Sequence, residues 1–341
     1  MAKGRLMADE MAEQPDVLAR LVERAAEVRA TGAEVVPVDL AACAIVARGS
    51  SDHAALLGQY LLEVATGRPV ALASPSVQTL YRAPVDYRGV LVVGVSQSGA
   101  TSEIVEVVAV LRAAGARTIA ITNDPSSPLA EAAGSVIDLG AGPELAVPAT
   151  KTVTATLLAF VLLAEGVSGR SLVSSSDLAD LPGHIAGVLA DEASVARAAA
   201  RLTDAGQLVA VARGYLLAAA RETALKLRET SGILAEGWSA ADLRHGPVAA
   251  IGAHVPVLSL RAAGPAADDT ERLESELAAR GANVLRINDR ADADLPLPAG
   301  VPEPLANIGA VVRGQHLARL VSLGRGIDPD QPLGLNKVTQ S

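Results

Sequence analysis

The chain has 341 residues, and its 29 Lys+Arg against 38 Asp+Glu give a formal charge of −9. Half of it is hydrophobic, which excludes a disordered chain, while the 2% aromatic content disfavours base-stacking platforms and the acidic balance argues against a nucleic-acid partner. The single cysteine, Cys43, excludes an internal disulfide framework and Cys-based zinc sites. An anionic small molecule stays possible, because one phosphate needs only a local site, and the length suggests about two domains.

Residues 5–31 read as two helical pieces broken at Pro15, the second carrying Val17, Leu18, Leu21, Val22, Ala25 and Val28 at helical spacing. No apolar run follows Lys3 and Arg5, so a secretory leader is not expected and a reducing cytoplasm is the default location. "CAIVA" (43–47) has the pattern of a buried strand, with Cys43 in the core, and a helix is expected over 52–65. "VLVVGVS" (90–96) reads as a second strand, followed by a glycine turn and a helix through Ala114. "TIAITN" (118–123) and the run 136–139 read as a third and a fourth. Apolar strands alternating with helices predict parallel sheets covered by helices on both faces. The longest uncharged apolar stretch, between residues 151 and 165, is shorter than the ~20 residues that span a bilayer, so no membrane partner is expected.

The second half repeats the first. "VARG" (46–49) returns at 211–214, "GARTIAITND" from Gly115 is matched by "GANVLRIND" from Gly281, and "VLVVGVS" meets "HVPVLSL" (254–260). Several matches at one offset of about 165 residues indicate duplication. The boundary is expected in 167–185, where Ser, Asp, Pro and Gly are frequent and no strong apolar period is visible. The expected organisation is a helical arm (1–35), a first domain (36–180), a second domain (181–328) and a tail (329–341). The copies differ in content: the first has "SQSGAT" (96–101) where the second has "LRAAGP" (260–265), and the second carries a charged helix, "RETALKLRETSG", expected to have no counterpart in the first.

"SQSGAT" sets three hydroxyls, an amide and a glycine between a strand and a helix. The helix N-terminus offers unpaired N–H groups and partial positive charge, and Gly99 lets the backbone approach a ligand. Ser96, Ser98 and Thr101 can donate to phosphate oxygens at the carboxyl end of a strand, where open α/β sheets bind ligands. The same residues could also form an ordinary helix-capping turn. "GSSD" (49–52) offers the same chemistry after the preceding strand, and two such loops together favour a phosphate cradle. Neither an NTPase P-loop nor a dinucleotide fingerprint is present.

Glu222, Lys226 and Glu229 share one face of a helix over 221–230. They read either as a solvated ion-pair face or as a partly buried proton-transfer unit, since Ala224, Leu225 and Leu227 are apolar on other faces. His245, before Gly-Pro, reads as a histidine favoured by a helix C-terminus or as a general acid/base. The histidines lack metal-binding spacing, so no metal is expected. Lys337 stands in a proline-bearing tail that composition alone reads as a frayed end.

With "EQPDVL" (13–18), "GSS" (49–51), "VPATKT" (147–152), "ETALKLRETSGILAE" (222–236), "DLRHGPVA" (242–249) and "GLNKVT" (334–339) added to "SQSGAT", nearly the whole chain resembles the double-SIS (sugar isomerase) family. That family includes the isomerase half of glutamine–fructose-6-phosphate aminotransferase and related amino-sugar-phosphate deaminases and deglycases. The resemblance implies two duplicated SIS domains, each a parallel sheet flanked by helices in a flavodoxin-like α/β sandwich. It implies that Ser50, Ser51, Ser96, Gln97, Ser98, Thr101, Val147 and Ala149 bind a sugar phosphate. Glu229 would move a proton between C1 and C2 of the open-chain sugar, with Glu222 and Lys226 in support. His245 would assist ring opening from the neighbouring subunit of a homodimer. Lys337, on a tail folded over the active site, would contact the sugar or form an imine with a ketose carbonyl. No organic cofactor or metal is implied.

The sequence departs from the aminotransferase pattern at Ala100, where an acid is usual, and at Ala149, where Ser is usual. No counterpart of the amidotransferase domain, with its N-terminal cysteine nucleophile, is seen, and Cys43 lies in an expected strand. The expected reaction is therefore glucosamine 6-phosphate plus water to fructose 6-phosphate plus ammonia, without glutaminase activity. The alternatives are a fructosyl-amine 6-phosphate deglycase, another phosphosugar aldose–ketose isomerase, and a non-catalytic sugar-phosphate sensor. The first 35 residues are too short and too little basic for the DNA-binding module that such sensors carry. Together with Glu229, His245 and Lys337, this favours an enzyme.

Overall fold

In the computed structural model, residues 2–335 and Lys337 are described; Asn336, Val338 and Thr339 of the tail motif lie outside the described residues. The chain forms two compact units. The first is built from Val17–Glu144 and Ala155–Ser174, and the second from Ser175–Lys337, Leu145–Thr154 and the chain start up to Asp16.

The chain opens with helices α1 (Arg5–Ala12), α2 (Gln14–Glu23) and α3 (Ala25–Val35). Pro15 stands in the first turn of α2, where its missing N–H costs no bond. The second expected piece is itself broken at Arg24. There the guanidinium turns to the Asp138 carbonyl at 3.0 Å and to the Glu27 carboxylate at 2.8 Å.

The first unit continues through β1 (Ala42–Val46), α4 (Ser50–Thr66), β2 (Val70–Leu72), α5 (Ser76–Thr79), β3 (Val90–Val95), α6 (Ser102–Ala113), β4 (Arg117–Thr122), α7 (Pro128–Ala132) and β5 (Ser135–Asp138). All neighbouring strands are parallel, in the order β2-β1-β3-β4-β5. The four expected strands are β1, β3, β4 and β5. The fifth, β2, is an edge strand of three residues with only Val70 buried, too short to show a period. Val46, Val92 and Ala120 of the sheet pack against Ile104, Val107, Val108 and Leu111 of α6. Helix α8 (Lys151–Ser168) is long and apolar enough to cross a membrane by composition, yet 89% of it is buried inside the protein. Its Phe160 packs so closely on α4 that a Cβ at Gly58 would overlap the ring.

The chain then runs through α9 (Ser175–Ala190), α10 (Glu192–Leu202), β6 (Gln207–Ala212), α11 (Leu217–Ser231), β7 (Leu234–Ser239), α12 (Ala240–Arg244), β8 (Val257–Leu260), α13 (Ala267–Ala279), β9 (Val284–Asn288), β10 (Leu295–Pro296) and α14 (Glu303–Gly324). The strand order β7-β6-β8-β9-β10, again all parallel, repeats that of the first sheet. Val211, Val257 and Val284 pack with Leu243, Leu273 and Leu277.

The two units divide between Ser174 and Ser175, inside the stretch 167–185, but that stretch does carry an apolar period: it is helical from Ser175 onward, with Pro182 inside α9. Leu178, Leu181, Ile185 and Val188 are buried at helical spacing, an apolar stripe that the polar residues between them concealed. The charged helix of the second copy does have a counterpart: α11 follows β6 as α4 follows β1. Counted from the shared "VARG", Glu222, Lys226 and Glu229 stand where α4 has Leu57, Leu61 and Val64. Leu57 and Leu61 are fully buried and Val64 is exposed, so the charged residues took over an inherited burial pattern.

α11 is buried along most of its length, through Ala218, Ala219, Ala220, Ala224 and Leu227. It packs on α14, where Gly314 allows the helices to approach; a Cβ there would overlap the Thr223 hydroxyl. At the start of α14, the Glu303 carboxylate fills the space beside Gly214, after β6, and Gly264, after β8. The equivalent space beside Gly49 in the first unit is open. Burial pushes the Glu303 carboxyl up to about 7.

Gly314→Ala is expected to lower stability by about 1–3 kcal/mol through overpacking of α11 against α14, read from urea denaturation. Glu303 predicts a pH dependence. Its folded value, about 7, lies above the ordinary 4.5. The proton it retains stabilises the fold fully below about 4.5, and that contribution is lost as pH rises through about 7. Glu303→Gln is expected to remove this slope; wild type and variant running parallel across the range would show that the carboxyl is not held this way.

Candidate active site

In the first unit the loops after β1 and β3 emerge side by side, because the two strands are paired through Val46 and Gly94. The strand order reverses at this point, which opens a crevice at the carboxyl ends of the strands. Gly49, at φ 60° and ψ −132°, turns the chain into α4, and Ser50 and Ser51 occupy its first turn, partly buried. In the second loop Ser96 is buried, with its Oγ 3.3 Å from Thr101 Oγ1. Ser98 Oγ accepts from the Ala100 amide at 3.3 Å. The Gln97 carbonyl accepts from the Asn123 amide at 3.0 Å, locking the loop to the end of β4. Gly99 has φ +61°, and a Cβ there would overlap the Ser127 hydroxyl. Neither α4 nor α6 receives a side-chain cap at its N-terminus, and both helices start from the adjoining loops. Ser50, Ser51, Ser96, Gln97, Ser98 and Thr101 therefore lie on two adjoining loops.

A cation that sequence reasoning passed over also stands there. Arg48, directly before Gly49, pairs with Glu103 in the first turn of α6 at 2.8 Å. Its signal was the arginine inside "VARGSSD", treated only as part of a repeat.

In the second unit α11 carries the charged triad. The Lys226 ammonium is 1% exposed, 2.5 Å from Glu229 Oε2 and 3.5 Å from Glu222 Oε1. Glu222 is buried as well, whereas the Glu229 side chain is 22% exposed. The solvated-face reading therefore fails: two carboxylates share one buried ammonium, and Glu229 is the one that reaches solvent. Thr230 Oγ1 donates to the Lys226 carbonyl at 2.8 Å and Ser322 Oγ to the Thr230 carbonyl at 2.6 Å, tying α11 to α14.

The segment 145–151 of this unit is held from several sides. The Glu10 carboxylate accepts from the Leu145 and Ala146 amides, and the Val147 amide donates to the Asp330 carbonyl at 3.3 Å. Lys151, wholly buried, pairs with Glu13 at 2.6 Å. Lys337 Nζ donates to the Ala146 carbonyl at 2.6 Å, so Lys337, Val147 and Ala149 belong to one neighbourhood. Glu10, Glu13 and Lys151 were not singled out from the sequence; Glu13 and Lys151 lay within motifs quoted only for their resemblance. His245 stands apart on an exposed turn that caps α12, its amide donating to the Asp242 carbonyl at 3.0 Å. Among the described residues no cluster of His, Cys, Asp and Glu could hold a metal ion. Cys43 is buried in β1 and burial pushes its thiol up to about 11, which leaves it a poor nucleophile.

Comparison with known proteins agrees with this architecture. The SIS domain pattern matches residues 43–166 and again 201–298. Glutamine–fructose-6-phosphate aminotransferase (isomerizing) of Gloeobacter violaceus is 35% identical over 97% of this chain and 58% of its own length. The chain spans about half the length of the curated relatives it matches. Among solved structures, the C-terminal domain of glucosamine-fructose-6-phosphate aminotransferase from Francisella tularensis superposes with a TM-score of 0.86 at 24% identity, covering 97% of this chain and 99% of that one. Glucosamine-6-phosphate deaminase from Thermotoga maritima superposes with a TM-score of 0.79 at 24% identity, covering 97% and 100%. The pattern that matches twice, on two sheets of identical strand order, decides the family: the chain is a member of the SIS domain family.

Proposed function

We propose that the chain is an amino-sugar-phosphate isomerase and deaminase, converting glucosamine 6-phosphate and water to fructose 6-phosphate and ammonia. The observation that carries this reading is the α11 triad, in which a buried Lys226 holds one solvent-reaching carboxylate, Glu229. An aldose–ketose shift needs a carboxylate that takes a proton from C2 and returns it at C1. Lys226 restrains Glu229 to one orientation, and Glu222 balances the ammonium from its other side.

In this reading the phosphate is taken by the hydroxyls of Ser50, Ser51, Ser96, Ser98 and Thr101, the Gln97 amide and the uncapped ends of α4 and α6. Val147 and Ala149 flank the sugar. His245 assists ring opening, moving a proton from the C1 hydroxyl to the ring oxygen. Glu229 then removes the C2 proton, while the C1 carbonyl oxygen gains one, and an enolamine forms. The same proton passes from Glu229 to C1, leaving an imine at C2. Water adds to that carbon, ammonia departs and a ketone remains. Lys337 meets the sugar carbonyl. The exposure of His245 supports a homodimer in which this histidine serves the neighbouring subunit. Cys43, buried in β1, is unsuited to act as a nucleophile in glutamine hydrolysis. The name of the Gloeobacter protein, with fructose 6-phosphate, and that of the Thermotoga protein, with glucosamine 6-phosphate, support a hexose 6-phosphate as the substrate class, and the second supports its amino form.

Purified chain supplied with glucosamine 6-phosphate is expected to release ammonia and fructose 6-phosphate in equal amounts. Glu229→Gln is expected to lower kcat by about 10²–10⁴-fold in a folded protein; full turnover by this variant sinks the proton shuttle. Turnover of fructosyl-amine 6-phosphates alone would make the chain a deglycase. Thermal stabilisation by the sugar phosphate without product would make it a sensor.

A further inference from the structure

Arg48 leaves the end of β1 and meets Glu103 in the first turn of α6, with Nη2 at 2.8 Å and Nε at 3.0 Å from Oε2. The side chains are 51% and 23% exposed, and a pair this open to water adds little to stability. Alone, Glu103 would oppose the proposed function of the crevice. A carboxylate at the N-terminus of α6 competes with a phosphate for the same positive helix end. Asp52 occupies the first turn of α4 in the same way. Two helices thus bring acids to the rim of a crevice proposed to hold a dianion.

The second copy supplies a comparison. Counted from "VARG", Arg213 stands where Arg48 does, and Asp269 lies in the first turn of α13 as Glu103 lies in that of α6. There the pair is looser, at 3.8 Å, and Asp269 is taken instead by Arg244 at 2.9 Å. That copy's crevice is filled by Glu303. The close pairing of this arginine with this acid accompanies the open crevice.

We propose that Arg48 is a phosphate-binding residue of the first unit, held by Glu103 in the absence of ligand and passing to the phosphate monoester when it binds. This rests on the phosphate reading of the crevice given above. The planar guanidinium matches phosphate oxygens with two parallel N–H bonds, which an ammonium cannot reproduce. A phosphate dianion attracts it more strongly than a single carboxylate does, and Glu103, already in contact with solvent, is released to water. Arg48 and Glu103 therefore act on phosphate affinity with opposite signs.

The test is a titration of the full chain with inorganic phosphate by calorimetry, with thermal unfolding of each unliganded variant as the folding control. Arg48→Ala is expected to weaken phosphate binding about 10–100-fold, and Arg48→Lys to recover only part of it. Glu103→Gln is expected to tighten binding about 2–5-fold. Arg213→Ala, at the equivalent place in the second copy, is expected to leave the affinity unchanged. If Glu103→Gln weakens binding as Arg48→Ala does, the pair is a structural strut and the proposal is overturned; wild-type affinity in Arg48→Ala overturns it equally. A wild-type chain that does not bind phosphate removes the cradle reading and this proposal together, whereas wild-type binding with indifferent variants removes this proposal alone.

Discussion

Among the described residues every strand pair is parallel, and that constraint governs the rest. Parallel neighbours cannot be joined by tight turns, so each strand is followed by a crossover that carries the chain back along the sheet. All strands of a sheet therefore end on one edge, and helix N-termini gather on the same edge. Where the order reverses, between β1 and β3 and again between β6 and β8, successive crossovers leave on opposite faces and the loops part. The hydroxyls of 96–101, the serines at 50–51 and Arg48 occupy such a place because the topology leaves nowhere else for these loops to go.

Duplication gave the chain two such places, and side chains decided their different fates. In the first, Gly49 borders open space. In the second, Glu303 lies against Gly214 and Gly264, with its carboxyl driven toward neutrality by burial. The crossover helices diverged in the same sense. α4 is an ordinary core helix through Leu57 and Leu61, whereas α11 holds Glu222 and Lys226 at the equivalent buried positions. One copy kept an open edge, and the other acquired a buried charge cluster.

Buried ions explain why those elements are tied down so firmly. Lys226 and Lys151 are both withdrawn from water, at a desolvation cost that hydrophobic replacements would avoid. Each is matched by carboxylates, Glu222 and Glu229 for the first and Glu13 for the second. Such pairs contribute geometry more than stability: the ammonium fixes where its carboxylate points, and the surrounding helix packing fixes the ammonium. Thr230 and Ser322, which lock α11 to α14, belong to this support.

The sequence by itself determined the alternation of apolar strands and helices, the parallel sheets, the duplication and the two hydroxyl-rich loops. Each of these is written in local period, local composition or a repeat at fixed offset. It did not disclose β2 or β10, which are too short to show a period, nor the break at Arg24 and the buried stripe of α9. Nor could it choose between a solvated and a buried face for Glu222, Lys226 and Glu229, because spacing places residues on one side of a helix without saying what covers that side. Only the tertiary structure decided that Lys226 is buried with Glu222 and Glu229 around it, that Glu303 fills the second crevice, and that Arg48 meets Glu103 and Lys151 meets Glu13. Those last pairs lie 55 and 138 residues apart in the chain. Periodicity reports which residues avoid water; which charges meet is settled by the sheet that brings distant loops to one edge and by the packing that removes water around them.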